Sequence, residues 1–399
     1  MGMNQTPASE RVHIGFFGRR NAGKSSIINA VTGQDLAIVS EIQGTTTDPV
    51  YKTMELLPMG PVMLIDTPGI DDEGDLGKLR IKRSYQVLNK TDVAVLIVDA
   101  NIGKSKEDEL LIDRFRKKGI PYIVVFNKAD MCRPLPETSE HEIWVSAREG
   151  LHIHELKEMI AKQSVMEEGK LRIVGDILEP SDFVVLVVPI DKAAPKGRLI
   201  LPQQQTIRDI LEADAVSIVV KECELKETLK NLGKKPKLVI TDSQVFAKVS
   251  ADTPKDIMLT SFSILFARYK GNLKDTVKGV KAIESLQDGD HVLIGEGCTH
   301  HRQCDDIGTV KIPRWMSRHT GKHLEFTFVS GTEFPDDLSP YKMIVHCGGC
   351  MINEREMKYR LACAKDQGIP MTNYGILIAY IQGILKRSLE PFPDIEKHT

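Results

Sequence analysis

Seven cysteines occur in the chain, at positions 132, 223, 298, 304, 347, 350 and 363, and four of them fall between 298 and 350. Cys347-Gly348-Gly349-Cys350 is a C-x-x-C, a spacing that lets two sulfurs reach one metal or cluster. Cys298 follows the Gly295-Glu296-Gly297 turn and stands two residues before His300, while His346 directly precedes Cys347. Three thiolates with a fourth nitrogen or oxygen ligand suit two fillings. One is structural zinc as Cys3His. The other is a cubane iron–sulfur cluster held by three cysteines, its fourth iron open or weakly capped. The spacing alone leaves both open.

A second set of residues handles phosphate. Gly18-Arg19-Arg20-Asn21-Ala22-Gly23-Lys24-Ser25 fits G-x-x-x-x-G-K-[ST] between an apolar strand pattern and a helical one. The two glycines let backbone amides wrap an anion at a helix N-terminus. Asn21, Ala22, Gly23 and Ser26 complete the phosphate-binding set. Lys24 supplies a charge for the β and γ phosphates, and Ser25 can ligate magnesium. Asp66-Thr67-Pro68-Gly69 follows a buried strand pattern. Asp66 would hold magnesium through water, and Gly69 would offer its N–H to the γ-phosphate. Asn127-Lys128-Ala129-Asp130 follows another such strand. The Asp130 carboxylate can accept both N1–H and the exocyclic amine of guanine, a donor pair that adenine lacks. Ser146-Ala147-Arg148 completes the base pocket. The order and spacing of all four sets predict GTP rather than ATP.

The elements that must carry these residues follow from periodicity. Val12–Gly18, Val62–Asp66, Asp92–Asp99 and Tyr122–Asn127 read as buried strands, alternating with helices at Lys24–Val31, Lys106–Lys118 and Ile153–Lys162. This is a doubly wound α/β pattern over residues 8–165. A charged stretch from Val165 separates it from a small α/β block, 175–254, with strands near Phe183–Val188, Ala215–Val220 and Lys237–Thr241. So small a block is expected to gain core by pairing, and a homodimer is expected. A third α/β block, 255–399, carries the thiols, with Lys342–Cys347 as a strand ending at the C-x-x-C and a helix at Glu354–Asp366. In an open α/β sheet, sites form where strands end and helices begin.

Composition excludes some classes. Net charge is −2 and no dense Lys/Arg stripe occurs, against nucleic acid as the main partner. Apolar runs such as Val93–Val98 are far shorter than the ~20 residues of a bilayer span. The start, MGMNQTPASERV, lacks the apolar core of a signal peptide. With an odd cysteine count, this predicts a reducing, cytoplasmic setting, where clustered thiols mean metal or catalysis more often than disulfides.

The nucleotide motifs resemble the TrmE/Era-like GTPases of tRNA modification and ribosome assembly over about residues 10–165. That resemblance implies that Gly44-Thr45-Thr46-Thr47-Asp48 is the first switch, with Thr46 on magnesium and the γ-phosphate. It makes Lys24, Thr46, Asp66 and Gly69 the catalytic set and Asn21 a potassium ligand. Ile70 stands where many small GTPases place a water-orienting glutamine, so slow intrinsic hydrolysis is expected. The whole chain, including Pro195-Lys196-Gly197-Arg198-Leu199-Ile200-Leu201-Pro202-Gln203-Gln204-Gln205, resembles the FeFe-hydrogenase maturation GTPases (HydF) over about residues 10–390. The resemblance implies a scaffold that binds a 4Fe-4S cluster through Cys298, Cys347 and Cys350. It would carry a diiron subcluster, prepared by radical-SAM maturases, to apo FeFe-hydrogenase. His300, His346, Glu296 or water would complete the ligand set, the carboxylate being the more displaceable. Cys304 is read as accessory, and Cys132, Cys223 and Cys363 as packing or surface residues. The alternative is an RNA- or ribosome-associated GTPase with structural zinc. No Cys-x-x-x-Cys-x-x-Cys radical-SAM motif is present for a third, enzymatic reading.

Overall fold

The computed structural model describes residues 6–33, 49–57, 59–69, 84–132, 134, 137–164, 171–190, 199–297, 306–331 and 333–396. The chain divides into two compact units, Met1–Lys170 and Leu171–Thr399. Thr46, Ile70, Cys298, His300 and Cys304 lie outside the described residues.

The first unit is built on β1 (Val12–Phe17), β2 (Val50–Leu56), β3 (Gly60–Asp66), β4 (Val93–Asp99), β5 (Tyr122–Asn127) and β6 (Glu142–Trp144). Their spatial order is β2-β3-β1-β4-β5-β6, and every pairing is parallel except β2 with β3. Alternate residues of β4 enter separate cores. Val93, Val95 and Ile97 join one cluster, and Ala94, Leu96 and Val98 the other. A strand covered on both faces must be apolar throughout, which is why β4 reads as a continuous run. Its helices include α1 (Lys24–Thr32), α2 (Lys106–Lys117) and α3 (Ile153–Ser164). Helix α2 opens on a reciprocal cap between Ser105 and Asp108, with acidic residues in its first turn and basic residues in its last, as the helix dipole favours.

The second unit holds two four-stranded parallel sheets. The first has β7 (Phe183–Val187), β8 (Val216–Val220), β9 (Leu238–Thr241) and β10 (Met258–Ser261) in the order β10-β9-β7-β8. The second has β11 (His291–Glu296), β12 (Glu325–Ser330), β13 (Met343–His346) and β14 (Met371–Asn373) in the order β12-β11-β13-β14. Among the described residues its helices are α4 (Leu201–Leu211), α5 (Leu225–Asn231), α6 (Phe246–Asp252), α7 (Phe262–Lys270), α8 (Leu273–Val280), α9 (Ile312–Thr320), α10 (Glu354–Asp366), α11 (Tyr374–Ile381), α12 (Leu385–Leu389) and α13 (Pro393–Glu396). Strand β10 belongs to the first of these sheets although it follows residue 255, where the sequence suggested a new block.

One hydrophobic cluster runs through both sheets of this unit, from Val184–Val187 and Leu238–Ile240 to Val292, Ile294 and Val345. The small middle block thus gains core from its neighbour in the same chain. Arg387 of α12 reinforces the join by donating to the carbonyls of Ser250, Thr253 and Pro254 at 2.6, 2.7 and 2.8 Å, around the end of α6.

Candidate functional sites

In the first unit, the loop between β1 and α1 lies at the carboxyl end of β1, where its sheet neighbours β3 and β4 also end. Lys24 Nζ donates to Gly18 O at 3.0 Å and Arg19 O at 2.8 Å, at the mouth of that loop. Ser25 Oγ donates to Asp66 Oδ2 at 3.0 Å, so both magnesium candidates meet. Burial raises the Asp66 carboxyl above its ordinary pKa, with the Lys24 charge and the Ser25 hydroxyl acting the other way. A bound cation would offset the same burial. Gly23 has φ +92°, and a Cβ there would run into the Asn127 amide. That amide donates to Ala22 O at 3.0 Å and accepts from Ala147 N at 3.2 Å, tying the phosphate loop to the base-binding loops. Lys128 Nζ pairs with Asp99 Oδ2 at 2.6 Å, Asp130 sits in the turn Ala129–Met131, and Ser146 is buried with its Oγ accepting from Glu149 N. Gly69 is buried and Asn21 is exposed with φ 59°. The described residues expected to bind nucleotide therefore converge at one edge of one sheet.

In the last sheet, chain order reverses between β11 and β13: β11 has the next strand, β12, on one side and β13 on the other. Such a switch point leaves a crevice at the carboxyl ends of the two strands. Glu296 ends β11 and His346 ends β13, with Gly295 opposite His346 in register and Cys347 N donating to Gly295 O at 2.8 Å. Two backbone amides, Gly297 N at 3.0 Å and Gly349 N at 3.4 Å, donate to Cys347 Sγ. Gly297 is joined directly to Cys298 in the chain. The turn needs Gly349: its φ is +65°, and a Cβ there would run into the Met357 methyl group. Burial raises the Cys347 thiol, and burial and the neighbouring Cys347 push Cys350 up to about 11. Buried thiols of this kind carry charge when a metal compensates it.

Glu296 is 4% exposed, and its Oε1 accepts from Tyr374 Oη at 3.3 Å. Burial first, then the Cys347 and Glu296 charges, hold the Tyr374 phenol well above its ordinary range. His346 has both ring nitrogens engaged. Nδ1 lies 2.8 Å from Cys347 O, and Nε2 lies 2.9 Å from Arg360 Nη1. Burial and the Arg360 charge bring its pKa down to about 3, so the ring is neutral, donating to the carbonyl and accepting from Arg360. Arg360, fully buried, also reaches Glu356 Oε1 and Gly331 O. Among the described residues no group of three or more His, Cys, Asp or Glu stands together as a metal site. Two sulfurs and a buried carboxylate near one switch point are donor types that suit a thiophilic metal. Of the other residues, Arg314 and His319 are exposed, Trp315 packs against the core, Cys223 is exposed, and Cys132 and Cys363 are half-buried.

Sequence reasoning missed Lys270, Arg360 and Tyr374. The first and last touch the sulfur turn and Glu296 from about 80 residues away in the chain, and Arg360 reaches back 14 residues to His346 and 29 to Gly331. No local pattern announces such pairings.

The sheet order, the phosphate loop and the Asn127–Asp130 turn make the first unit a P-loop GTPase domain. Residues 13–128 match the 50S ribosome-binding GTPase family. Residues 173–271 match the hydrogen maturase F dimerization domain and 274–391 the hydrogen maturase F tetramerization domain, together more than half of the chain. The chain belongs to the hydrogen maturase F family. It is also similar to the tRNA modification GTPase MnmE of Legionella pneumophila (strain Corby), 40% identical over 147 residues, which cover 36% of this chain and 32% of that protein. GTPase Der of Kosmotoga olearia is 30% identical over 211 residues, covering 48% of this chain and 47% of Der. The chain thus spans a third to a half of the length of these curated relatives. Among solved structures, Era of Aquifex aeolicus bound to GDP and AlF4− aligns with 55% of this chain and 98% of its own, at 20% identity and a TM-score of 0.34.

No helix among the described residues is long and apolar enough to cross a membrane.

Proposed function

We propose that this GTPase is a scaffold and carrier in FeFe-hydrogenase maturation. It would hold a 4Fe-4S cluster on Cys298, Cys347 and Cys350 and deliver a diiron subcluster, its cargo, to the apo-hydrogenase after radical-SAM maturases have built the precursor. The observation that carries this reading is the switch point of the last sheet. There Cys347, bonded by two amides, and Cys350 stand beside buried Glu296, inside a chain whose two C-terminal segments match hydrogen maturase F domains. When bound, the cluster would supply an iron that accepts an exchangeable ligand. The protein's part is to hold the sulfurs, present a displaceable donor and exclude water. Both ring nitrogens of His346 are taken, which favours Glu296 or His300 as the fourth ligand and makes His346 a strut between Arg360 and the Cys347 carbonyl. Amide donors to Cys347 Sγ would stabilise negative charge on that sulfur.

At the other site, Lys24 and the loop amides of Gly18, Ala22, Gly23 and Ser26 would cradle the phosphates. Magnesium would be held by Ser25 and Thr46, and by Asp66 through water, with Gly69 on the γ-phosphate. Asn21 would hold potassium beside the phosphates, making hydrolysis potassium-stimulated. Asn127, Lys128, Asp130, Ser146 and Ala147 would read guanine. Three domains, with limits near 8–165, 175–254 and 255–399 but β10 counted with the middle one, and a cytoplasmic location complete this reading. The exposed edge strand β8, with Val216 and Val219 39% and 45% exposed, would pair copies of the middle domain.

The test is iron, sulfide and zinc content with low-temperature EPR after dithionite reduction, on protein purified without oxygen. About four irons and four sulfides per chain, with a reduced-cluster signal lost in Cys298→Ser, are expected. Activation of apo-hydrogenase by the loaded protein follows. Stoichiometric zinc that persists after iron and sulfide reconstitution would sink this reading and favour an RNA- or ribosome-associated GTPase.

A further inference from the structure

Helix α7 starts on Ser261, the last residue of β10, whose hydroxyl caps it by accepting from Ile264 N at 3.3 Å. It ends on Lys270. That side chain is 2% exposed, and its Nζ donates to three carbonyls of one turn: Gly349 O at 3.3 Å, Cys350 O at 3.0 Å and Ile352 O at 2.9 Å. An ammonium has three N–H donors, and here three acceptors of the sulfur turn converge on it. The same turn rests on α7 elsewhere, since Gly348 lies against Ser263 and Phe266. Burying an ammonium is costly. A turn held only for stability could be held by a neutral donor, so a buried cation beside two metal-binding sulfurs points to a need for positive charge.

We propose that Lys270 is a positioning residue of the sulfur site: it clamps the 349–352 turn so that Cys347 and Cys350 face one metal, and it supplies the buried positive charge that anionic sulfur ligands require. This rests on the reading of Cys347 and Cys350 as metal ligands, though not on the identity of the metal. Because α7 begins in the sheet of β7 to β10, the clamp also ties the geometry of the sulfur site to that sheet.

The test uses the reduced full-length protein and Cd2+, a soft cation whose sulfur-to-metal absorption reports thiolate ligation directly. Cys350→Ser identifies the part of the signal that belongs to this turn. Lys270→Met is expected to weaken Cd2+ binding at least about 10-fold, and Lys270→Arg, which keeps charge and donors, to recover most of it. Native oligomer size and thermal midpoint report folding. Should Lys270→Met fail to fold, Lys270→Gln against Lys270→Arg makes the same comparison of neutral and charged donors. A Lys270→Met titration that overlays the wild type overturns the proposal, as does a folded Lys270→Arg as weak as Lys270→Met. Wild-type protein that takes up no iron and sulfide on reconstitution would instead overturn the cluster reading. The Cd2+ comparison would still decide the role of Lys270. In cluster-loaded protein, the same variant should lower the reduction potential, a change that mere loosening of a distant structural contact would not produce.

Discussion

Single side chains at the two sites differ in how far they reach. Lys24 acts on its own loop, close to Gly18 and Arg19. Lys24→Ala should cost at least about 100-fold in GTP hydrolysis, the scale set by removing one preorganised charge from a transition state, and a phosphate-release assay reads it. Arg360 acts across the fold. Removing its guanidinium as Arg360→Met leaves the buried Glu356 carboxylate and the Gly331 carbonyl without that partner, and His346 loses its donor. Breaking such a buried pair costs about 3–5 kcal/mol, so a clear fall in the unfolding midpoint and in metal retention is expected. Local residues of this kind were legible in the sequence. The phosphate loop, Asp66–Gly69 and Asn127–Asp130 are contiguous because each is a single turn at a strand end. Lys270, Arg360 and Tyr374 were not legible, because their roles exist only after β11, β13 and α7 have packed. His346 was visible as a candidate ligand, but its role as a strut depends on an arginine that no motif includes.

Whole elements show the same division. β4 and β5 read plainly because burial on both faces makes them uniformly apolar. β2 gives no such signal: it lies on the sheet edge, antiparallel, with only Leu56 buried. β10 is only four residues long, too short for a distinctive pattern, and its place beside β9 appears only in the fold. Helix α2 is marked by its own cap, where Ser105 Oγ accepts from Asp108 N and the Asp108 carboxylate accepts from Ser105 N. Ser105→Ala should therefore lower stability by about 1 kcal/mol, measurable by denaturant titration of the full chain. The edge strand β8 invites a charge test. Val216→Lys with Val219→Lys should reduce the assembled mass seen by light scattering, because lysine on an open edge opposes strand pairing. An unchanged mass would move the contact away from β8.

At the scale of the whole molecule, the phosphate loop and the Cys347–Cys350 turn lie in separate units, so the two are expected to be independent. Lys24→Ala protein should keep its full iron content while losing hydrolysis. Loss of the iron as well would mean that nucleotide is needed to build the sulfur site. Inside the second unit the expectation is the opposite, since one apolar cluster joins both sheets and Arg387 fastens the α6 end. Segments that share a core open together or not at all. Metal bound at Cys347 and Cys350 should therefore slow amide hydrogen exchange in β7 and β9, strands that carry no cysteine. The sheet named for dimer formation would then report, in its rate of deuterium uptake, whether the sulfur site is filled.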